Sequence, residues 1–373
     1  MLSGGMDSGS VVAVATRLLE AERAPALKTF SAIGPDPGSC RESSTILEVV
    51  KLPHLEPLVI SPAILEDHGE AVLALTEQGD DPFDAHMVMI RTIYHQARLA
   101  GVSVVLDGVN GDVALTSETY QSRLLRRGSW RKAWREAIGE ETFFGGGWTR
   151  RHSLRASAIR AFAPNWLRWL RRRLLRHLLI VGLNSAFAKR VRAIERLDRY
   201  WQLNGALGRN FAEDRCRAMM SANPVVGRER YDRVAASCAV ECRDPFMDVR
   251  VLELSLRLPD NMLHSDGWRK LVLRRAMSGL LPNKIIWRFG KEHVGWLFTQ
   301  KLVERFPGYL HFDPNEIQSI EPYAGGVGSL AARHALTGTD MTWFGFRVTS
   351  LAHWLVRSRL KGELRLSRRL ESE

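Results

Sequence analysis

The chain has 373 residues, of which 45% are hydrophobic and 25% charged, so it can bury a sizeable core as one large domain or two. No run of about 18 apolar residues marks a membrane span, no basic-then-apolar leader opens the sequence, and four cysteines are too few for a disulfide framework, which reads as a reducing cytoplasm. The net charge of +12 favours an anionic partner.

The first nine residues carry the strongest local pattern: Met1-Leu2-Ser3-Gly4-Gly5-Met6-Asp7-Ser8-Gly9. Two adjacent glycines permit a sharp turn and a close backbone approach to a ligand, and Ser3 and Ser8 add hydroxyl donors. A helical run follows from Ser10, so the loop opens onto a helix N-terminus, whose unpaired N–H groups and dipole suit phosphate. Asp7 would repel phosphate unless a cation sat between them, and a magnesium ion resolves that conflict.

Strand-like and helix-like segments then alternate. Residues 27–33 read as a strand closed by Gly34 and Pro35, 44–51 as a helix stopped by Pro53, and 57–60 as a short strand. Helices are expected over 63–76 and 85–100, the second ending at Gly101, followed by an apolar strand over 102–106. Such alternation predicts a parallel, doubly wound α/β sheet covered on both faces, with ligands at the carboxyl ends of the strands. The first loop and the segment Asp107-Gly108-Val109-Asn110-Gly111-Asp112 both fall at that edge. Leu2 is at most a stub of the strand that should precede the loop, so the first strand is expected to be missing, as in a truncated fragment or a mis-set start.

Beyond residue 117 the pattern turns helical, over 130–137, 156–162, 166–180 and 186–202, with more helices from 214 and a Lys/Arg/Glu-rich tail after 353. This divides the chain into an α/β nucleotide-binding core over 1–116 and a mainly helical part over 117–373. Cys238 and Cys242 have the spacing of helical neighbours and read as two buried small residues rather than a metal site. Between Arg123 and Arg176 fifteen Lys or Arg stand against three Glu, with Trp130, Trp134, Trp148, Trp166 and Trp169 interleaved. That suits nucleic acid or an anionic surface. The simpler reading, which we favour, is solvated helices with their tryptophans facing the core, so nucleic acid is not the expected partner.

The segment Ser-Gly-Gly-x-Asp-Ser lacks the Walker lysine and resembles the PP-loop of ATP pyrophosphatases, in particular the asparagine synthetase family. Three further blocks follow in order. Residues 107–112 resemble the family's Gly-x-Gly-Gly-Asp-Glu loop, although Val113 stands where a glutamate usually follows. Glu241-Cys242-Arg243-Asp244-Pro245-Phe246-Met247-Asp248 resembles Glu-x-Arg-x-Pro-Phe-Leu-Asp. Lys270 to Arg274, then Leu281-Pro282, then Arg288 and Lys291, resemble the succession Lys-x-x-Leu-Arg, Leu-Pro, Arg-x-x-Lys.

The resemblance covers about residues 1–300 and implies one continuous synthetase domain of the adenine nucleotide α-hydrolase (HUP) type. It also implies ATP-dependent activation of a carboxylate as an acyl-adenylate, then amine attack, with release of AMP and pyrophosphate. On that footing Ser3, Gly4, Gly5, Asp7 and Ser8 would bind pyrophosphate, and Asp7 with Asp112 would bind Mg2+. Leu2, Ile33 and Gly108 would lie near the adenosine. Lys291 would steady developing charge, assisted by Lys270 and Arg288. Tyr120 and Glu118 lie near, but out of register with, the tyrosine–glutamate pair that some members use to deprotonate the amine. No amino-terminal glutaminase is expected from these residues, which start at the phosphate loop. Asp266 to Met277 and the Asp-Gly-x-x-Gly-Asp loop look most like lasso-peptide cyclases, which join an Asp or Glu side chain of a precursor peptide to its N-terminal amine. The substrate is then a small amino acid or a precursor peptide, with a partner protein supplying peptide or ammonia. Two alternatives stand beside this: a fragment of a glutamine-hydrolysing asparagine synthase, and a non-catalytic basic binding protein.

Overall fold

The computed structural model describes residues 1–38, 40–79, 81–145, 149–164, 166–167, 170, 174, 183–205, 207–290, 294–310, 320–323, 350–351 and 354–356. Among these it is a mixed α/β protein in which helices predominate over short parallel strands.

Strand β1 (Leu27–Ala32) pairs in parallel with β2 (Leu55–Ile60), with Phe30 opposite Leu58. The helix Arg41–Val49 connects them and buries Ile46 and Val49. Strand β3 (Val104–Leu106) pairs in parallel with β4 (Glu241–Arg243), a three-residue strand too short to stand out by periodicity. The first two residues bridge β1 and β3. Leu2 N–H donates to the Phe30 carbonyl (2.9 Å), and the terminal ammonium of Met1 donates to the Leu106 carbonyl (2.5 Å).

Helix α1 (Met6–Ala21) leaves this point and buries Met6, Val12, Ala13 and Thr16 along one face. That face packs with Leu2, Val49, Met277, Leu281 and Ile285 into one core. A second core gathers Leu115, Tyr120, Leu124, Phe211, Phe246 and Leu263.

The chain divides into two compact units, one made of residues 1–62, 93–168 and 200–294, the other of 63–92, 169–199 and 295–373. Within the second, Glu66 on helix Leu65–Glu77 pairs with Lys301 and Arg305 of helix Gly295–Arg305, the Arg305 contact at 3.1 Å.

Several boundaries depart from the sequence reading. Trp130–Phe144 runs seven residues past the expected end, through Gly139, because tertiary packing overrides that glycine's poor helix propensity. The helix expected over 186–202 is broken at Arg192, which adopts φ 51°, into Ser185–Arg190 and Ala193–Gly205. Cys238 and Cys242 are both buried but do not share a helix. Cys238 caps the end of Ala222–Ser237, and Cys242 lies in β4. The favoured inward placement of the tryptophans fails at Trp130, Trp134 and Trp166, which are 58%, 47% and 64% exposed. Trp148, Trp169 and most of the helix expected over 166–180 lie outside the described residues, as does most of the tail after 353. Among the described residues no helix is long and apolar enough to cross a membrane.

Candidate active site

The first loop turns at Gly4, whose φ of 62° strains any side-chain-bearing residue and where a Cβ would press on the Ile46 backbone at 3.0 Å. Ser3 N–H donates to Ser8 Oγ (3.1 Å), and the two hydroxyls share a 2.9 Å hydrogen bond. The loop thus folds back on the first turn of α1, with Gly5 as its N-cap and Asp7 in its opening turn. Backbone donors of a 16-residue helix therefore face the same side as Asp7.

The second loop is pressed against the first. A Cβ on Gly108 would fall 2.4 Å from Ser8 N, and one on Gly111 2.5 Å from the Asp7 carboxyl carbon. Backbone excludes any side chain at Gly108, and at Gly111 one would push the Asp7 carboxylate out of its place. Asn110 takes the left-handed conformation (φ 64°) and starts the helix Gly111–Leu115, which carries Asp112. A buried ion network fixes this turn. Arg228 reaches Asp107 at 3.0 Å and Asp244 at 3.9 Å, and Asn110 Nδ2 donates to Asp244 Oδ2 (2.9 Å). Burial pushes the Asp107 carboxyl above its usual range and that of Asp244 up to about 6.

The third element is the hairpin of β5 (His264–Ser265) and β6 (Trp268–Arg269), which leads into Lys270. Its turn is gripped by helix Trp130–Phe144. A Cβ on Gly139 would lie 2.0 Å from the Asp266 carbonyl oxygen, so backbone meets backbone there. One turn earlier Glu136 Oε2 accepts from Gly267 N–H (2.8 Å), and Glu140 accepts from Arg269 (3.3 Å).

Burial pushes the Glu136 carboxyl up to about 7, against the Gly267 and Asp266 N–H groups that favour its ionised form. A folded value above the unfolded one means stability present at low pH is lost as pH rises through about 7. The substitution E136Q keeps an acceptor for Gly267 and removes the titration. Thermal melts should therefore show it gaining on the parent by up to about 3 kcal/mol between pH 4.5 and 8. A stability difference that does not change with pH would refute this origin.

These three elements enclose a cavity of about 240 Å3. Of the residues picked from the sequence, Ser3, Gly5, Asp7, Asp112, Lys270 and Arg288 line it. The Lys270 ammonium lies between Asp7 and Asp112, pairing with the first and 2.8 Å from the second. Arg288 Nη1 donates to the Gly4 carbonyl (3.2 Å), tying the fourth block to the first loop. Leu2 is instead packed in the core at 1% exposure, and Ile33 is buried with its N–H bonded to the Ile60 carbonyl (2.8 Å). Lys291 lies outside the described residues. Tyr120 stacks on His264 in the second core, while Glu118 faces solvent beside Arg160.

The cavity wall also contains groups that no local pattern singled out. Glu42 comes from helix Arg41–Val49, and Phe143 and Phe144 from the end of helix Trp130–Phe144. Arg274, the arginine that closes the Lys-x-x-Leu-Arg block of the sequence, joins them; it is buried, with its guanidinium 4.8 Å from the Trp268 ring centre, and burial lowers its pKa to about 10. With Arg269, Lys270 and Arg288 it gives the wall four cationic side chains, the charge a polyphosphate requires. Two carboxylates converging on one cationic nitrogen, beside a helix N-terminus, are the hard oxygen donors that Mg2+ takes together with water and phosphate. Asp7 and Asp112 therefore fit such an ion.

A family model described as asparagine synthase matches residues 1–307. Asparagine synthetase (glutamine-hydrolyzing) 3 of Bacillus subtilis (strain 168) is 37% identical over 60 residues, which are 16% of this chain and 10% of that protein. The matched stretch thus spans about a tenth of that relative's length. The family match takes in all four sequence blocks and every element that builds the cavity, and by it the chain belongs to the asparagine synthase family.

Proposed function

We propose that this protein is an ATP-dependent amide ligase that forms a carbon–nitrogen bond. It adenylates an Asp- or Glu-type side-chain carboxylate and directs an amine to it, releasing AMP and pyrophosphate. The observation that carries this reading is the convergence of Asp7 and Asp112 on a single cation beside the Ser3–Ser8 loop. Family membership supports it, as do the four cationic side chains in the wall. Bound Mg2+ would supply charge neutralisation for the polyphosphate, with Asp7 and Asp112 holding it. The protein's own groups do the rest. Ser3, Gly5 and Ser8 orient the phosphates, Lys270 and Arg288 steady the charge that builds on departing pyrophosphate, and Lys291 is assigned to the same task.

The placement of Met1 and Leu2 between β3 and β1 supports a doubly wound parallel sheet with the loop at its carboxyl edge. For the acceptor we favour a precursor peptide over free aspartate, as in the lasso-peptide cyclases that the 266–277 stretch resembles. Trp130, Trp134, Arg131, Arg135, Leu125 and Leu154 line an open groove of about 810 Å3, ample for a peptide segment. A cytoplasmic site of action, with a partner protein delivering peptide or ammonia, completes the proposal.

The test is pyrophosphate release by purified protein with ATP and Mg2+, offered either free aspartate with ammonia or a peptide bearing an internal Asp or Glu and a free N-terminal glycine. Turnover with the peptide and mass loss of one water support the cyclase reading. Rapid asparagine formation from aspartate overturns it in favour of an asparagine synthase, and salt-sensitive nucleic-acid binding without ATP turnover overturns the enzyme altogether.

A further inference from the structure

The Lys270 ammonium occupies the point where Asp7 and Asp112 converge, which is also where those carboxylates would hold a divalent ion. We infer that Lys270 is a resident counter-ion that excludes divalent metal from the carboxylate pair until a polyphosphate takes the ammonium away. The inference rests on the nucleotide reading of the site above. It adds an order of events, in that metal and nucleotide enter together rather than metal first.

Three observations carry it. First, Lys270 is 5% exposed, so its charge is held in a partly dehydrated site instead of being spread into solvent. Two carboxylates there repel each other, and an ammonium between them offsets that repulsion. Second, the geometry is fixed from behind. Lys270 takes φ 57°, in the left-handed region that disfavours a side-chain-bearing residue, between the Glu136-gripped turn and the helix Leu271–Ala276. A lysine on an exposed, freely rotating stretch would not be held there. Third, the ammonium can be drawn off without crossing the protein, since Ser3, Gly5, Arg269, Arg274 and Arg288 line the same cavity and make it a phosphate-receptive space. Arg274 also bears electrostatically on Asp7 and Asp112, but it is tied to the Arg269 and Ile286 carbonyls, whereas Lys270 Nζ pairs with the carboxylates themselves.

Charge arithmetic gives the consequence. With Lys270 in place the pair and its counter-ion sum to −1, and without it to −2. A divalent ion offered alone must displace that ammonium in the first case and meets no ammonium from Lys270 in the second. Polyphosphate would reverse the balance, because its oxygens would accept from the Lys270 ammonium and leave Asp7 and Asp112 to hold the metal.

The experiment is Mn2+ binding without nucleotide, followed by electron paramagnetic resonance at fixed pH and ionic strength on the full chain. The substitution K270M, close in length and uncharged, should bind one Mn2+ at least about tenfold more tightly than the parent. K270R should stay near the parent, and adding Asp7→Asn to K270M should remove the gain. Equal or weaker Mn2+ binding by K270M overturns the inference, as does a gain that survives Asp7→Asn. Should K270M fail to show a cooperative melt, K270Q serves in its place. Because nothing turns over in this measurement, tightened Mn2+ binding in a chain that never releases pyrophosphate would leave the counter-ion role standing and sink the proposed activity. The reverse pair of results would do the opposite.

Discussion

Replacing Asp7 or Asp112 with alanine is expected to lower ATP-dependent pyrophosphate release by about a hundred- to a thousandfold, the loss typical when one charge-stabilising group is removed from a reaction site. The two act as a unit, since both pair with one ammonium and each would supply half of a bridged cation site. The double variant should therefore be scarcely worse than either single one. Asp7 has the further task of facing Gly111, with no space for even a methyl group between them. Asp7→Ala thus loosens the two-loop contact, whereas Asp112→Ala, at a half-exposed position, leaves it in place. Comparing melts of the two separates chemistry from packing. Pyrophosphate release at the parental rate in either variant would remove these carboxylates from the reaction.

The second large effect is on stability. Arg228→Met should destabilise the chain by about 3–5 kcal/mol, because it leaves two buried carboxylates without their shared cation. Asp107 is 1% exposed and Asp244 is bonded to Asn110, so neither can turn outward to water. The loss should depend on pH. Burial raises the Asp244 carboxyl to about 6 in the folded protein, so its protonated form is the one folding favours. Its contribution is therefore intact at low pH and declines as pH rises through about 6. Removing Arg228 raises that value further, so the gap between variant and parent should be widest near pH 8 and narrow by pH 5. Thermal melting across that range gives the answer. A gap of the same size at both ends would mean that the network is held by packing and not by charge. Pyrophosphate release should fall alongside, since Asn110 and Asp107 frame the turn that presents Asp112.

Much of the site is legible from the sequence wherever the constraint is local. Gly4 must accept a positive φ, Gly5 must leave a helix N-terminus open, and Ser3 and Ser8 are near enough in sequence to close on each other. The order of strand and helix down to residue 106 follows from the same short-range pattern. Boundaries suffered where a local signal met a distant one. The helix expected over 130–137 continues to Phe144, through a Gly139 whose missing side chain leaves the space that the Asp266–Gly267 backbone occupies. Cys238 and Cys242 read as helical neighbours, yet β4 forms because β3 offers it a hydrogen-bonding edge from far back in the chain.

The amino-acid sequence alone determined the ingredients: a glycine-bearing loop opening a helix, two acidic loop residues about a hundred positions apart, and a surplus of basic side chains. Only the tertiary structure decided which basic residue meets which acid. Lys270 joins Asp7 across 263 positions, Arg228 joins Asp107 across 121, and Glu136 joins Gly267 across 131. It also turned Trp130 and Trp134 outward. Periodicity and turn chemistry act over a few residues, whereas burying a charge selects its partner by proximity in space, and that proximity exists only once the chain has folded.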